Sequence, residues 1–354
     1  AEPYQEETSY KQGGAPLIGL AAEDVNEIAT IREKTKNSNR AEIAELLSDH
    51  RNQILSIWEK AQKGRDVIKK LDSFEEIADL EKPVLIASNQ ELISYSKNMR
   101  HMCDLFSAYT CLQTVQGNID EAIDELVVLN SVFRKLSITA RSTLNKSVSV
   151  VVNSICIESA DFIVNDSRTT QSQLERLAKN FPSFSQEQLS LRNGLLFDYM
   201  FYREMFNASE LFKIKGRWAI KRNSAIRLLR NYIIEQMKLY GDANEQDKQK
   251  GELSVWPGIL PSSCNVRMDE NCEITFVYKF LYNPVGAIMT ITCMPVIETI
   301  YEVSTKLQIY QDMLQIFLNK RLGKDFRLKA CDYSDEYIID IENKKIFSPG
   351  PDRI

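Results

Sequence analysis

The chain has 354 residues, 44% of them hydrophobic and 26% charged, so it can bury a large core and is not a disordered polymer. With only 13 glycines and 10 prolines it is a poor match for an all-β chain with many tight turns, and a formal charge of −5 gives no bulk support for a nucleic-acid partner. Two histidines, His50 and His101, leave almost no material for a His-rich metal site or a Ser-His-Asp arrangement.

The sequence predicts an all-α, multi-helix globular body with a small C-terminal β-hairpin tail. Residues 1–21 hold Gly13, Gly14 and Pro16 without strong periodicity and read as an N-terminal tail. The opening Ala1-Glu2-Pro3 suggests a processed start from which a signal or membrane anchor has been removed.

The helical body is expected over 22–322. A first helix covers about Glu23 to Lys36. A second starts near Asn39 and runs past Trp58, with His50 packed on the stripe Ile43, Leu47, Ile54 and Ile57. Ser73 followed by Glu75 and Glu76 reads as an N-cap with an acidic first turn. A long helix follows Pro83 to about Gln116, with His101 at a partly exposed position. Gly117-Asn118 breaks it before the stripe Ile119, Ala122, Ile123, Leu126, Phe133 and Leu136. Tyr109, Gly117 and Ala122 are spaced like half of a tetratricopeptide repeat. No second copy occurs at about 34 residues, so a single helical hairpin is the reading. Further helices are expected near 140–165, 169–180, 185–207 and 217–240, the third opening on the capping box of Ser185 and Gln188.

An irregular region runs to about Glu273. A last helix is predicted from the Asn283-Pro284 start, kinked or divided at Pro295 and closed by Gly323. Its stripe Val296, Ile300, Val303, Leu307, Tyr310, Leu314 and Phe317 is expected to be core. Residues 323–354 form the β-prone tail, with Asn343 as a turn between short apolar runs. No membrane-spanning helix is expected, since the best candidate, Pro284 to Ile297, falls short of the roughly 20 apolar residues a span needs.

No phosphate-binding loop, dinucleotide fingerprint, HExxH or nucleophile elbow is present, so no catalytic residue, metal or cofactor is nominated. The seven cysteines include no C-x-x-C pair; Cys264 and Cys272 bracket a polar loop and would pair in an oxidising compartment. The one functional-looking feature is a basic run from Lys213 to Arg230 that no acid interrupts. Its residues Lys213, Lys215, Arg217, Lys221 and Arg222 are the candidate binding site for an anionic lipid surface or an acidic protein, against the plain alternative of a solvated helix face. An enzyme with an unrecognised carboxylate site, built on acids such as Asp198 and Glu204, is the alternative to a binding protein.

Several segments carry a resemblance. They are Gly117-Asn118 before a helix, Leu189 to Phe201 (LSLRNGLLFDYMF), Lys221 to Ile226 (KRNSAI), Asn283 to Gly286 (NPVG) and the ending Phe347 to Asp352 (FSPGPD). Together they resemble an uncharacterised family of helical envelope proteins from gammaproteobacteria, over roughly Leu80 to Asp352. The chain departs from the family's pattern at Arg192-Asn193-Gly194 and in its shortened ending. The resemblance implies a periplasmic location, tethered to the inner membrane by a segment absent from this chain. It supplies a location and an architecture but no assigned activity; an envelope protein or anionic lipid head groups are the partners expected for the basic run there.

Overall fold

A computed structural model describes residues 22–35, 38–77, 89–140, 142–208, 297–328, 337–340 and 345–347, together with parts of 226–237. Among the described residues there are eleven helices: α1 (Ala22–Thr35), α2 (Arg40–Asp49), α3 (Arg51–Lys60), α4 (Gln62–Asp72), α5 (Asn89–Gln116), α6 (Ile119–Thr139), α7 (Thr143–Val164), α8 (Gln171–Asn180), α9 (Gln186–Leu189), α10 (Arg192–Ala208) and α11 (Ile297–Arg321). Two three-residue strands, β1 (Ile338–Asp340) and β2 (Lys345–Phe347), pair antiparallel with Ile339 opposite Ile346. The body is all-α.

The centre is the mutual packing of α5, α6 and α7. The first four helices lie outside it, α1–α3 against α5 and α4 against α6, while α11 lies against α7 and α8. The buried positions of α6 (Ile119, Ala122, Ile123, Leu126, Leu129 and Phe133) recur every three or four residues, as one face of a helix requires. Each of the isoleucine, leucine and phenylalanine side chains taken from water contributes about 1.5–3 kcal/mol. Trp58 ties α3 to α5 by stacking on Tyr109 at 3.8 Å between centroids and meeting Phe106 edge-on at 4.8 Å.

Chain reversals follow local chemistry. Gly117 closes α5 with φ +89°, and Asn118 donates its N–H back to the Gln113 carbonyl at 2.9 Å. Gly323 ends α11 in the same way at φ +70°, with Lys324 bonded to Asn319 at 2.9 Å. Glycine is favoured at both because side-chain-bearing residues rarely adopt positive φ. The Asn39 and Ser185 side chains form full capping boxes, with Glu42 and Gln188.

Several expectations are corrected. The helix expected from Asn39 past Trp58 is three helices, broken at His50 and Ala61. His50 is a junction residue, not a packed stripe residue: its backbone leaves the helical region and its Nδ1 meets Gln53 Oε1 at 2.7 Å. Ser73 is not an N-cap; it ends α4 and its hydroxyl donates to the Lys70 carbonyl at 2.7 Å. The helix expected over 185–207 is interrupted at Ser190-Leu191. On α11, Leu307 and Leu314 are buried, but Val303 and Tyr310 face solvent. The inward face instead carries Ser304, Gln311, Asp312, Gln315, Leu318 and Asn319. The Asn283-Pro284 start, Pro295 and the Cys264 and Cys272 loop lie outside the described residues.

One helix overturns the absence of a span candidate. α7 is long and apolar enough to cross a membrane by length and composition, and 67% of its most apolar window is buried inside the fold. It contacts α5, α6, α10 and α11 and buries Lys146, Ser149, Asn153 and Ser159. That surround is the packing of a core helix.

Candidate functional site

α6 carries a second stripe beside its core face: Val127, Asn130, Ser131, Arg134, Lys135 and Ile138, again at steps of three and four. This stripe is one wall of an open groove of about 470 Å³. Lys179 and Asn180 at the end of α8, then Pro182, Ser183 and Ser185, and Gln188 of α9 line the rest.

The loop opposite α6 is held from below. Phe181 is fully buried, and its carbonyl accepts the side-chain amides of Gln311 and Gln315 from α11. Ser183 donates to Asp312 Oδ1 at 2.7 Å, and Tyr337 donates to the other oxygen of that carboxylate at 3.2 Å. Burial pushes the Asp312 carboxyl above its ordinary value, and the two hydroxyl donors pull it back. The polar inner face of α11 therefore exists to fix this loop, which is why its periodicity misreads as a purely apolar seam.

The described lining carries cations and no acid, while the carboxylates of Asp72 and Asp312 meet Lys135 and Ser183 without lining the groove themselves. Arg134 is only 7% exposed, its guanidinium lies 4.1 Å over the Phe184 ring, and a terminal nitrogen donates to the Pro182 carbonyl. Its Nε is buried without an acceptor. Burial lowers the Arg134 pKa to about 10. Lys135 is satisfied by the Asp72 carbonyl at 2.7 Å, the Phe74 carbonyl at 2.9 Å and the Asp72 carboxylate at 3.3 Å. Lys179 is exposed and makes no ion pair among the described residues.

Beneath the groove lies a second buried cation. Lys146 is 2% exposed and donates to the carbonyls of Ser137, at 2.7 Å, and Gln188. Burial lowers its pKa to about 7. Elsewhere the partly buried cations are balanced by acids: Arg65 and Lys69 flank Glu125, Arg32 meets Glu158 and Asp104, and Arg40 meets Asp166. Arg134 and Lys146 stand apart because carbonyls, not carboxylates, receive them.

The nominated residues Lys213, Lys215, Arg217, Lys221 and Arg222 lie outside the described residues. At the end of that basic run, Arg227 and Arg230 are exposed on a helical stretch whose Leu229 and Ile233 pack with Leu191 and Leu195. Asp198 is buried and accepts from the Thr143 backbone N–H at 3.4 Å and from the Thr143 hydroxyl. Burial raises its pKa to about 6. It caps the start of α7 and does not line the groove. The Glu204 side chain lies outside the described residues. Burial drives the thiol pKa values of Cys103 and Cys156 upward and that of Cys111 to about 12, so these three free thiols are packing residues. Among the described residues no three His, Cys, Asp or Glu side chains gather as metal ligands.

Sequence reasoning missed Arg134 because it sought runs of exposed charge. The available signal was the spacing of Asn130, Ser131, Arg134 and Lys135 along a stripe next to the apolar face. Comparison with family models, curated proteins and solved structures finds no match.

Proposed function

We propose that this chain is a binding protein rather than an enzyme, and that an anionic partner docks in the groove between α6, α8 and α9. One observation carries the reading: Arg134, more than nine-tenths buried, lines that groove beside Lys179 with no acid among the lining residues. A buried guanidinium without a counter-ion is costly, and an anion delivered by a partner would offset that cost. The engagement of Asp198 with the first residue of α7 supports the non-enzymatic side of the reading. Calorimetric titration with sulfate, phosphate, acetate and short acidic peptides at low and high salt tests it. Salt-sensitive binding that Arg134→Gln weakens is expected; no binding by any anion would remove the site.

The basic run Lys213, Lys215, Arg217, Lys221 and Arg222 belongs to the same proposal as a second contact surface for an anionic partner, whether an envelope protein or lipid head groups. A triple change of Lys213, Lys215 and Arg217 to Gln should weaken vesicle binding without changing the circular dichroism spectrum; equal binding by both proteins rules the run out. The envelope location, periplasmic with an inner-membrane tether, rests on the family resemblance. Recovery of the full-length product in the cytoplasmic fraction would remove it. We also infer that β1 and β2 close into a hairpin tail about Asn343, which slow amide exchange at Ile346 would support and free exchange would refute.

A further inference from the structure

We propose that the groove takes an organic phosphomonoester whose phosphate meets Arg134 and Lys179 and whose apolar body lies on Val127, Ile138 and Pro182. This rests on the anion-binding reading and adds the chemical class. Charge is the first argument. Lys135 is already balanced by Asp72, which leaves Arg134 and Lys179 as two cations that meet no acid among the described residues. A phosphomonoester near neutral pH carries about −1.5 to −2 and three acceptor oxygens, against one charge and two oxygens for a carboxylate.

Geometry is the second argument. A carboxylate is planar and is satisfied by a single guanidinium edge. Here the donors stand on separate elements: Arg134 and the Ser131 hydroxyl on α6, Lys179 at the end of α8, and the Gln188 amide on α9. Neither Ser131 nor Lys179 makes another hydrogen bond among the described residues. Donors carried by separate elements of one groove suit a tetrahedral group better than a planar one. Phe184 under Arg134 and the bond to Pro182 hold the guanidinium in place before any ligand arrives.

The third argument is the apolar wall. Ile138 is 40% exposed, a large aliphatic side chain at the edge of a cationic groove. A bare inorganic ion leaves Ile138, Val127 and Pro182 uncovered. The open groove of about 470 Å³ has room for an organic body beside the phosphate.

Titration calorimetry of the full chain with phenyl phosphate, glycerol 3-phosphate, inorganic phosphate and benzoate tests the assignment. Phenyl phosphate is expected to bind tightest, at least about tenfold above benzoate. Lys179→Gln, at an exposed position, should weaken phenyl phosphate several-fold while leaving the melting temperature unchanged. Ile138→Ser should weaken phenyl phosphate but not inorganic phosphate. Phosphatidylcholine vesicles with and without phosphatidic acid separate the sources. Binding that requires phosphatidic acid and is displaced by phenyl phosphate assigns a lipid head group; binding to the soluble esters alone assigns a soluble phosphorylated molecule. Benzoate binding as tightly as phenyl phosphate would overturn the phosphate class and leave the anion-binding reading intact. Binding by none of the four would overturn both. Phenyl phosphate binding unchanged in both Lys179→Gln and Ile138→Ser would put the ligand elsewhere.

Discussion

Replacing Lys146 with Met should change stability in a way that depends on pH. The folded protein holds this amine at a pKa of about 7, against an ordinary 10.5, because burial disfavours the charge. A difference of that size is equivalent to roughly 5 kcal/mol. Below about pH 7 the amine is charged in both folded and unfolded chains, so the wild type carries the whole cost of burying it. Between about 7 and 10.5 the unfolded chain keeps a proton that the folded chain has released, so wild-type stability rises with pH. Above 10.5 both states are neutral and the cost is gone. The variant lacks this dependence. It also loses the two bonds to Ser137 and Gln188, at about 1–3 kcal/mol for each carbonyl left buried without a donor. Lys146→Met should therefore lie near the wild type at about pH 6 and fall behind it by several kcal/mol at about pH 10, a swing of roughly 4 kcal/mol. Urea unfolding of both proteins at matched pH measures it, since other titrating groups cancel in the difference. A stability difference that stays constant with pH would mean that Lys146 is not a buried titrating amine.

Four more substitutions probe the packing and electrostatics of the fold. Leu307→Ala should lose about 2–5 kcal/mol, because Leu307 is buried in the core, while Tyr310→Ser on the same α11 stripe should change stability by less than about 0.5 kcal/mol; equal losses by urea unfolding would restore the continuous seam. Gly194→Ala should destabilise by about 1–3 kcal/mol in thermal unfolding even though alanine favours helix, because the added Cβ would sit 3.0 Å from the Thr143 nitrogen and 3.2 Å from the Ser142 carbonyl carbon; a stabilised variant would refute the close approach of α10 to α7. Burial raises the Asp198 pKa from 3.8 to about 6, so between those values the folded chain holds a proton the unfolded chain has lost and stability falls as pH rises; Asp198→Asn should gain on the wild type by roughly 3 kcal/mol across that window, and a flat difference would refute the burial.

The helices were legible where local chemistry and periodicity agree. Asn118 after Gly117, the Ser185 capping box and the Gly323 stop are written in a few adjacent residues and stand where the sequence puts them. The errors have a common origin. The breaks at His50 and Ala61 lie inside a segment with continuous helical periodicity, and they let the chain pass from packing on α5 to packing on α6. The stripe on α11 failed at Tyr310 because an apolar periodicity does not count Gln311, Asp312 and Gln315, which are buried. They are inward because the carbonyl of Phe181 and the hydroxyl of Ser183 need partners there. A buried polar side chain is set by a partner more than a hundred residues away, and no window of sequence contains both.

The groove was illegible for the same reason. Charge runs are conspicuous in sequence because solvated lysines and arginines tolerate one another, so a search for clusters finds the stretch after Leu211 first. A binding site needs something different: a cation whose alternatives have been removed. Arg134 is surrounded in sequence by ordinary amphipathic residues, and what isolates it is the seating of Phe184 under its guanidinium and of Pro182 against its nitrogen. Lys146 sits in the most apolar helix of the described fold, where a sequence reading registers one charge among many valines and isoleucines. Its amine meets Ser137 on the α6 side and Gln188 on the α9 side, so it joins the two walls that carry the groove residues. Arg134, itself on α6, meets the Pro182 carbonyl in the loop that leads into α9, so each cation ties α6 to the chain around α9, one in the groove and one beneath it. Deleting the lower one should loosen the geometry in which the upper one is presented. Lys146→Met is accordingly expected to weaken phenyl phosphate binding even at a pH where it leaves stability unchanged, a coupling that purely local packing around Lys146 would not produce.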